Sequence, residues 1–167
     1  MQKVKPPQDK WQNTVFFLIA LLAVVVDQLS KMWIRSFLPE GRSWAELGFF
    51  RLTHIHNTGG VFGLFQGQSV PLTIAAFIGI AILLVYALFI YRRFPVSNGM
   101  LGKSALGLVF GGTIGNLIDR LRLGYVTDFI DFGFWPAFNI ADSAVVIGII
   151  LFAYSLGSLI GAGKDKG

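Results

Sequence analysis

The chain of 167 residues contains no cysteine. That excludes disulfides, thiolate metal sites and a cysteine nucleophile. Charge is scarce as well: Asp, Glu, Lys and Arg make up 14% of the residues, against 54% that are apolar. What is plentiful is hydrocarbon. Mean hydropathy is +0.64, and a soluble chain of this length could not hide so much apolar surface. Lipid must be its solvent. The formal charge of +5 does not point to nucleic acid. The basic residues stand at the ends of apolar runs, where they anchor a chain in a membrane.

Four such runs predict membrane spans at approximately 14–33, 69–91, 103–122 and 142–163, each near the length that crosses a bilayer. Basic residues before the first run would also suit a signal peptide. No small-x-small cleavage site follows Val26, so an uncleaved anchor is expected. The third run is free of charge only from Ser104 to Ile118. Those residues span roughly 22 Å, short of a hydrocarbon core of about 30 Å. The helix is therefore expected to continue past Asp119. Within it, Gly107, Gly111 and Gly115 recur every four residues, which makes a flat face for close packing of another helix.

Arg35 to Gln68 is the one long polar connection. Its FFRLTHIHN alternates enough for a short strand, and NTGGVFGLF reads as a turn or bulge. RSWAELGFF predicts a short interfacial helix with Trp44 and Phe49 at headgroup depth. The expected architecture is one all-α membrane domain over 1–167: four transmembrane helices, with a small extracytoplasmic strand and interfacial-helix region between the first two. Four spans put both termini on one side. Eight basic residues would share that side against six on the other, a bias toward cytoplasmic termini.

On this topology the unusual polar residues converge. Asp27 lies toward the outer end of the first span. Asn57 is in the outer connection. Asn116, Asp119 and Arg120 close the third span, Asp128 and Asp131 follow it, and Asn139 and Asp142 open the fourth. Ionisable residues at membrane depth are costly and are functional candidates by default. Each also has a plainer reading. Asp27, Lys31 and Arg35 are spaced as an ion-paired helix face. Asn116, Asp119 and Arg120 share one helical face and could tie helix ends together. Asn139 could cap the fourth helix while Asp142 complements its dipole. Asp131 could be a solvated loop acid. Phe129, Phe132, Phe134, Trp135 and Phe138 could form an interfacial belt or shape a lipid-facing groove.

Several chemistries can be weighed. Ser143 follows Asp142, but nothing marks it as an activated nucleophile. His54 and His56 would share one strand face, as a metal pair might, without an obvious third ligand. Two aspartates, by contrast, are a complete set for peptide hydrolysis. Like charges a few ångströms apart hold one proton between them. The ionised member takes a proton from an attacking water, and the protonated member donates to the carbonyl oxygen. No metal or cofactor is needed. Chemistry alone does not choose between Asp128 and Asp131. A small transporter could also use membrane carboxylates, but these would be expected near the midplane rather than at one face. A structural protein could use the glycine face without any chemistry.

The stretch GGTIGNLIDRLRLGYVTDFIDF, with FNIADSAVV after it, closely resembles the bacterial lipoprotein signal peptidases, or signal peptidase II. VVVDQLSKMWI and HNTGGVFGLF match the family's N-terminal motifs. The resemblance covers nearly the whole chain. NTGGVF departs slightly from the family's N-x-G-A-A-F, with Gly60 and Val61 still small and apolar. The resemblance implies an aspartic protease of the bacterial cytoplasmic membrane, with its site near the outer leaflet. It would remove signal peptides from diacylglyceryl-modified prolipoproteins, just before the lipidated cysteine. The sequence gives no basis for an oligomer, and a monomer is the default expectation. The resemblance implies Asp128 and Asp142 as the catalytic pair, against Asp131. It also implies supporting roles for Asp27, Asn57, Asn116, Asp119, Arg120 and Asn139, no metal or cofactor, and a site for globomycin-type inhibitors. The Arg35–Gln68 connection is then expected to be a mobile clamp over the substrate.

Overall fold

The computed structural model describes residues 8–59, 67, 69–86 and 100–164. In chain order the elements are α1 (Gln8–Phe37), β1 (Ser43–Leu47), β2 (Phe50–Asn57), α2 (Ser69–Val85), α3 (Met100–Leu123), β3 (Val126–Asp131) and α4 (Ile140–Lys164). Among the described residues, three stretches are helical, long and apolar enough to cross a bilayer: Trp11–Phe37, Met100–Leu123 and Ile140–Gly157. They correspond to the first, third and fourth expected spans, and α3 does run on past Asp119. The second expected span, 69–91, contributes the 17-residue helix α2. Its last residues, 87–91, lie outside the described ones.

The glycine face has the use its spacing suggested. Helix α3 is central and packs against α1, α2 and α4. A Cβ added at Gly107 would lie 2.7 Å from the Phe16 carbonyl oxygen, and one at Gly111 would lie 2.5 Å from that of Ala20. The α1 backbone thus rests directly on α3. Small residues allow this approach, and close packing is what associates helices in lipid, where apolar burial gives no advantage. Phe16, Ala20, Leu106 and Phe110 form the buried cluster at this contact. Leu18, Leu21, Leu22 and Val25 of α1 face outward, as lipid-facing side chains should.

The sheet is larger than the sequence suggested. Three antiparallel strands lie in the order β1-β2-β3. Strand β2 matches the expected FFRLTHIHN strand. RSWAELGFF is not an interfacial helix. Its residues form β1, with Ser43 opposite Thr53 and Trp44 opposite Leu52. The physical reason is the turn. Gly48 adopts φ 63°, which opens a two-residue hairpin turn that few other residues tolerate. The hairpin then covers an edge of β2 that would otherwise be unpaired. Trp44 packs edge-on against Trp33 and Phe37, with ring centres 6.3 and 5.6 Å away. That seats the hairpin on the end of α1. Strand β3 was not expected, and it places Asp128 and Asp131 on a strand rather than in a loop.

Candidate active site

The candidate residues meet at one end of the bundle, where α1, α3 and α4 come together beneath the sheet. Asp128 is buried in the middle of β3, opposite Ile55 of β2. Asn57, at the end of β2, donates from Nδ2 to Asp128 Oδ2 at 2.8 Å. Asn139 donates from Nδ2 to the other oxygen, Oδ1, at 2.6 Å. Burial pushes the Asp128 carboxyl up to about 7, and the charge of Asp142 adds to the rise. The two amide donors and Lys31 act against it.

Asp142 stands in the first turn of α4. Its backbone N–H donates to Asn139 Oδ1 at 2.9 Å, and its Oδ2 accepts the Asn139 backbone N–H at 3.3 Å. This is a reciprocal capping box built from Asn and Asp. The capping reading of this pair is correct, and it does not compete with chemistry. The cap is what aims Asp142 at the site. Asn116 donates from Nδ2 to the remaining oxygen of Asp142, Oδ1, at 2.8 Å. Asn139 therefore touches both aspartates, one through its side-chain amide and one through its backbone.

The other expected residues form a frame around this pair. Asp27 Oδ1 accepts the Ala141 N–H at 2.9 Å, so a carboxylate from α1 caps α4. Asp27 also pairs with Lys31 at 2.9 Å, as its spacing suggested. Asp119 accepts the Thr127 N–H at 3.0 Å and pairs with Lys31 and Arg35 at 3.3 and 3.5 Å. It ties β3 to α1 and α3 without reaching either member of the Asp128–Asp142 pair. Arg120 donates to the Gly59 carbonyl at 3.1 Å, while the Gly59 N–H donates to Asn57 Oδ1 at 2.8 Å. Arg120 thus holds the turn that holds Asn57. Of the expected NTGGVFGLF turn, residues 60–66 lie outside the described ones.

Asp131 is not a solvated loop acid. It is buried and bound to Arg51 Nε at 2.6 Å, because β3 pairing sets Asp131 opposite Arg51. The Nδ1 atoms of the two histidines are each engaged within the protein. His54 Nδ1 lies 2.7 Å from the Leu38 carbonyl, and His56 Nδ1 lies 2.8 Å from Glu40. His56 also stacks on Tyr125 at 3.6 Å, and burial lowers its pKa. Lys31 is a site residue that sequence reasoning missed. It is fully buried, and its Nζ donates to Asn116 Oδ1 at 2.9 Å. Its spacing from Asp27 suggested only an ion-paired face.

Both aspartates line a cavity of about 620 Å³. Its apolar wall comes mainly from α2 and α4, including Leu72, Ala76, Val145 and Val146, while α3 contributes Thr113, Asn116 and Arg120. Trp135 and Phe138, from the connection between β3 and α4, also line it.

Fold and site define a class: a helical membrane protein with one buried and one half-buried carboxyl facing a largely apolar cavity at one end of the bundle. Comparison with known proteins narrows it. The family model for signal peptidase (SPase) II matches residues 19–157. A lipoprotein signal peptidase of Dehalococcoides mccartyi is 48% identical over 139 residues, covering 83% of this chain and 86% of that one. Another, of Moorella thermoacetica, is 42% identical over 152 residues, covering 90% and 96%. A solved bacterial membrane enzyme superposes with a TM-score of 0.77 at 30% identity, covering 91% of each chain. The chain belongs to the signal peptidase II family, and it is a multi-pass membrane peptidase.

Proposed function

We propose that this protein removes signal peptides from diacylglyceryl-modified prolipoproteins by an aspartic mechanism, cutting just before the lipidated cysteine. The observation that carries the reading is that Asp128, buried, and Asp142, half-buried, are joined through Asn139 and open onto one largely apolar cavity. Two such carboxyls hold one proton between them. The ionised member takes a proton from a water as its oxygen attacks the scissile carbonyl. The protonated member donates to the carbonyl oxygen, giving a tetrahedral diol. The diol collapses with proton transfer to the leaving nitrogen. Asn57, Asn116 and Asn139 donate to the pair, Arg120 braces Asn57 through Gly59, and Asp27 and Asp119 fix the starts of α4 and β3, so the carboxyls are held in place before substrate arrives.

The cavity wall suits a substrate that stays in the bilayer. The cavity would receive the lipobox and part of the acyl chains, and the same space would take a globomycin-type inhibitor. The whole chain, 1–167, would then act as one monomeric domain with four spans in the bacterial cytoplasmic membrane. Its termini would be cytoplasmic and the pair near the outer leaflet. The connection from Arg35 to Gln68 would clamp the substrate, with Asn57 as its fixed end. Asp27, Asn57, Asn116, Asp119, Arg120 and Asn139 would be supporting residues.

The test uses purified protein in detergent and a diacylglyceryl-modified prolipoprotein, with chelator present. Wild type should cut before the lipidated cysteine. Asp128→Asn and Asp142→Asn should each lose about 10³-fold or more in kcat, with unchanged thermal melts. An active, folded Asp128→Asn would remove the aspartic pair from the mechanism.

A further inference from the structure

Lys31 is one of two fully buried lysines among the described residues, and the two do different things. Lys103, between α3 and the start of α1, donates to Asn13 at 3.1 Å. It lies at the opposite end of the bundle from the aspartates. Lys31 sits beneath the pair and meets three acceptors: Asp27 Oδ2 at 2.9 Å, Asp119 Oδ2 at 3.3 Å and Asn116 Oδ1 at 2.9 Å. Charge balance needs only the two carboxylates. Asp27 and Asp119 face Lys31 and Arg35, two anions against two cations. The contact with Asn116 is an addition to that balance.

That third contact has a consequence for the site. An ammonium can only donate. The Asn116 carbonyl oxygen must therefore face Lys31, and its NH2 must face Asp142. The same oxygen accepts from Asn139 Nδ2 at 3.1 Å. The Asn139 amide is set in the matching sense by the Asp142 backbone N–H, which its oxygen accepts, so its NH2 reaches both Asp128 and Asn116. One buried cation thus fixes the sense of Asn116 and supports that of Asn139, and those amides supply donors to both aspartates. Without it, Asn116 could flip and present a carbonyl oxygen to Asp142. That arrangement is tolerable only when Asp142 carries the proton.

We propose that Lys31 is a positioning residue of the reaction, acting through Asn116 and Asn139 to set the donors that face Asp128 and Asp142. The proposal rests on the reading of those two aspartates as the reacting pair. The charged groups around Asp128 are Asp142 from α4, Lys31 from α1 and Arg120 from α3. Removing Lys31 removes a cation from this set, so the proton shared by the pair is held to higher pH.

The experiment compares wild type, Lys31→Met and Lys103→Met as purified full-length proteins on the diacylglyceryl prolipoprotein. It measures kcat, KM, pH profile and thermal melt. Lys31→Met should lower kcat about 10- to 100-fold, as small misplacements of reacting groups do. KM should stay within about twofold, and the alkaline limb of the profile should move up by about one pH unit. Lys103→Met should lower the melting temperature alone. If Lys31→Met does not fold, Asp119→Asn/Lys31→Met keeps the charges balanced and is compared with Asp119→Asn. The same fall in kcat and the same shift are expected between those two. Wild-type kcat and profile in a folded Lys31 variant, or a fall equal to that of Lys103→Met, would overturn the proposal. Failure of the underlying reading looks different: wild type would not cut, or Asp128→Asn would remain active, and the proposal would fall with it.

Discussion

Asp128 and Asp142 are both aspartates held by asparagines, but their settings differ. Asp128 sits on a strand with its two oxygens given to two side-chain amides. Asp142 sits on a helix start and is held partly by backbone. Asp128 is outside the membrane helices, and its carboxyl is pushed up to about 7 by burial and then by Asp142. The sign follows directly. The folded protein keeps a proton there at pH values where the unfolded chain has lost it. This group therefore favours the fold at low pH, and that contribution is lost as pH rises through about 7. Catalysis has the same dependence, because the acid of the pair disappears with the proton. We expect kcat to fall as pH is raised above about 7, by up to tenfold per unit. A kcat that stays flat to about pH 9 would show that no such group titrates. Most of these residues were legible in the sequence because carboxylates and asparagines are rare in an apolar chain. Lys31 was not, since its third partner comes from α3, 85 positions away. Asp131 was misread for a similar reason: Arg51 reaches it only through strand pairing.

At the scale of elements, the helices were legible because apolar length alone defines them. The sheet was only partly so. VTDFID has the polar and apolar residues of a strand in so short a stretch that its pairing with β2 decides its state. The β1 hairpin turns on one glycine. The contact of α1 with α3 was written in the glycine spacing, and it reaches the site itself. A Cβ at Gly115 would lie 2.6 Å from Asp27 Oδ2. Asp27 caps α4 at Ala141, one residue before Asp142. Gly115→Ala should therefore displace a carboxylate that braces the active end, at a stability cost of about 1–3 kcal/mol. Its melting temperature and kcat should both fall. Gly79→Ala in α2 is the matched control, because nothing lies within 4 Å of an added Cβ there. That change should be neutral or raise stability by up to about 1 kcal/mol. Equal behaviour of the two variants in both measurements would mean that the α1–α3 contact does not govern the site.

The whole molecule arranges its polar and apolar parts by position along the bundle. One end holds the ion pairs, caps and amides beneath a small sheet. The middle holds close helix contacts, and the cavity joins the polar end to the apolar wall of α2 and α4. No single segment could reveal this cavity, since its walls come from helices far apart in the chain. On the proposed reading, its size and lining suit a substrate recognised largely by hydrocarbon, with the two aspartates and Asn57, Asn116 and Arg120 gathered as its polar part. Ala76 tests this without touching the aspartates. It lies on the α2 side of the cavity, and a bulky residue there would project into space that the substrate needs. Ala76→Trp should keep its thermal melt, because it fills a cavity rather than crowding a packed core. Its KM for the diacylated substrate should rise about tenfold, with loss of about 1.4 kcal/mol of binding, while the pH profile keeps its shape. An unchanged KM would mean that substrate does not occupy this space. A changed profile with unchanged KM would place the tryptophan's effect on the aspartates instead.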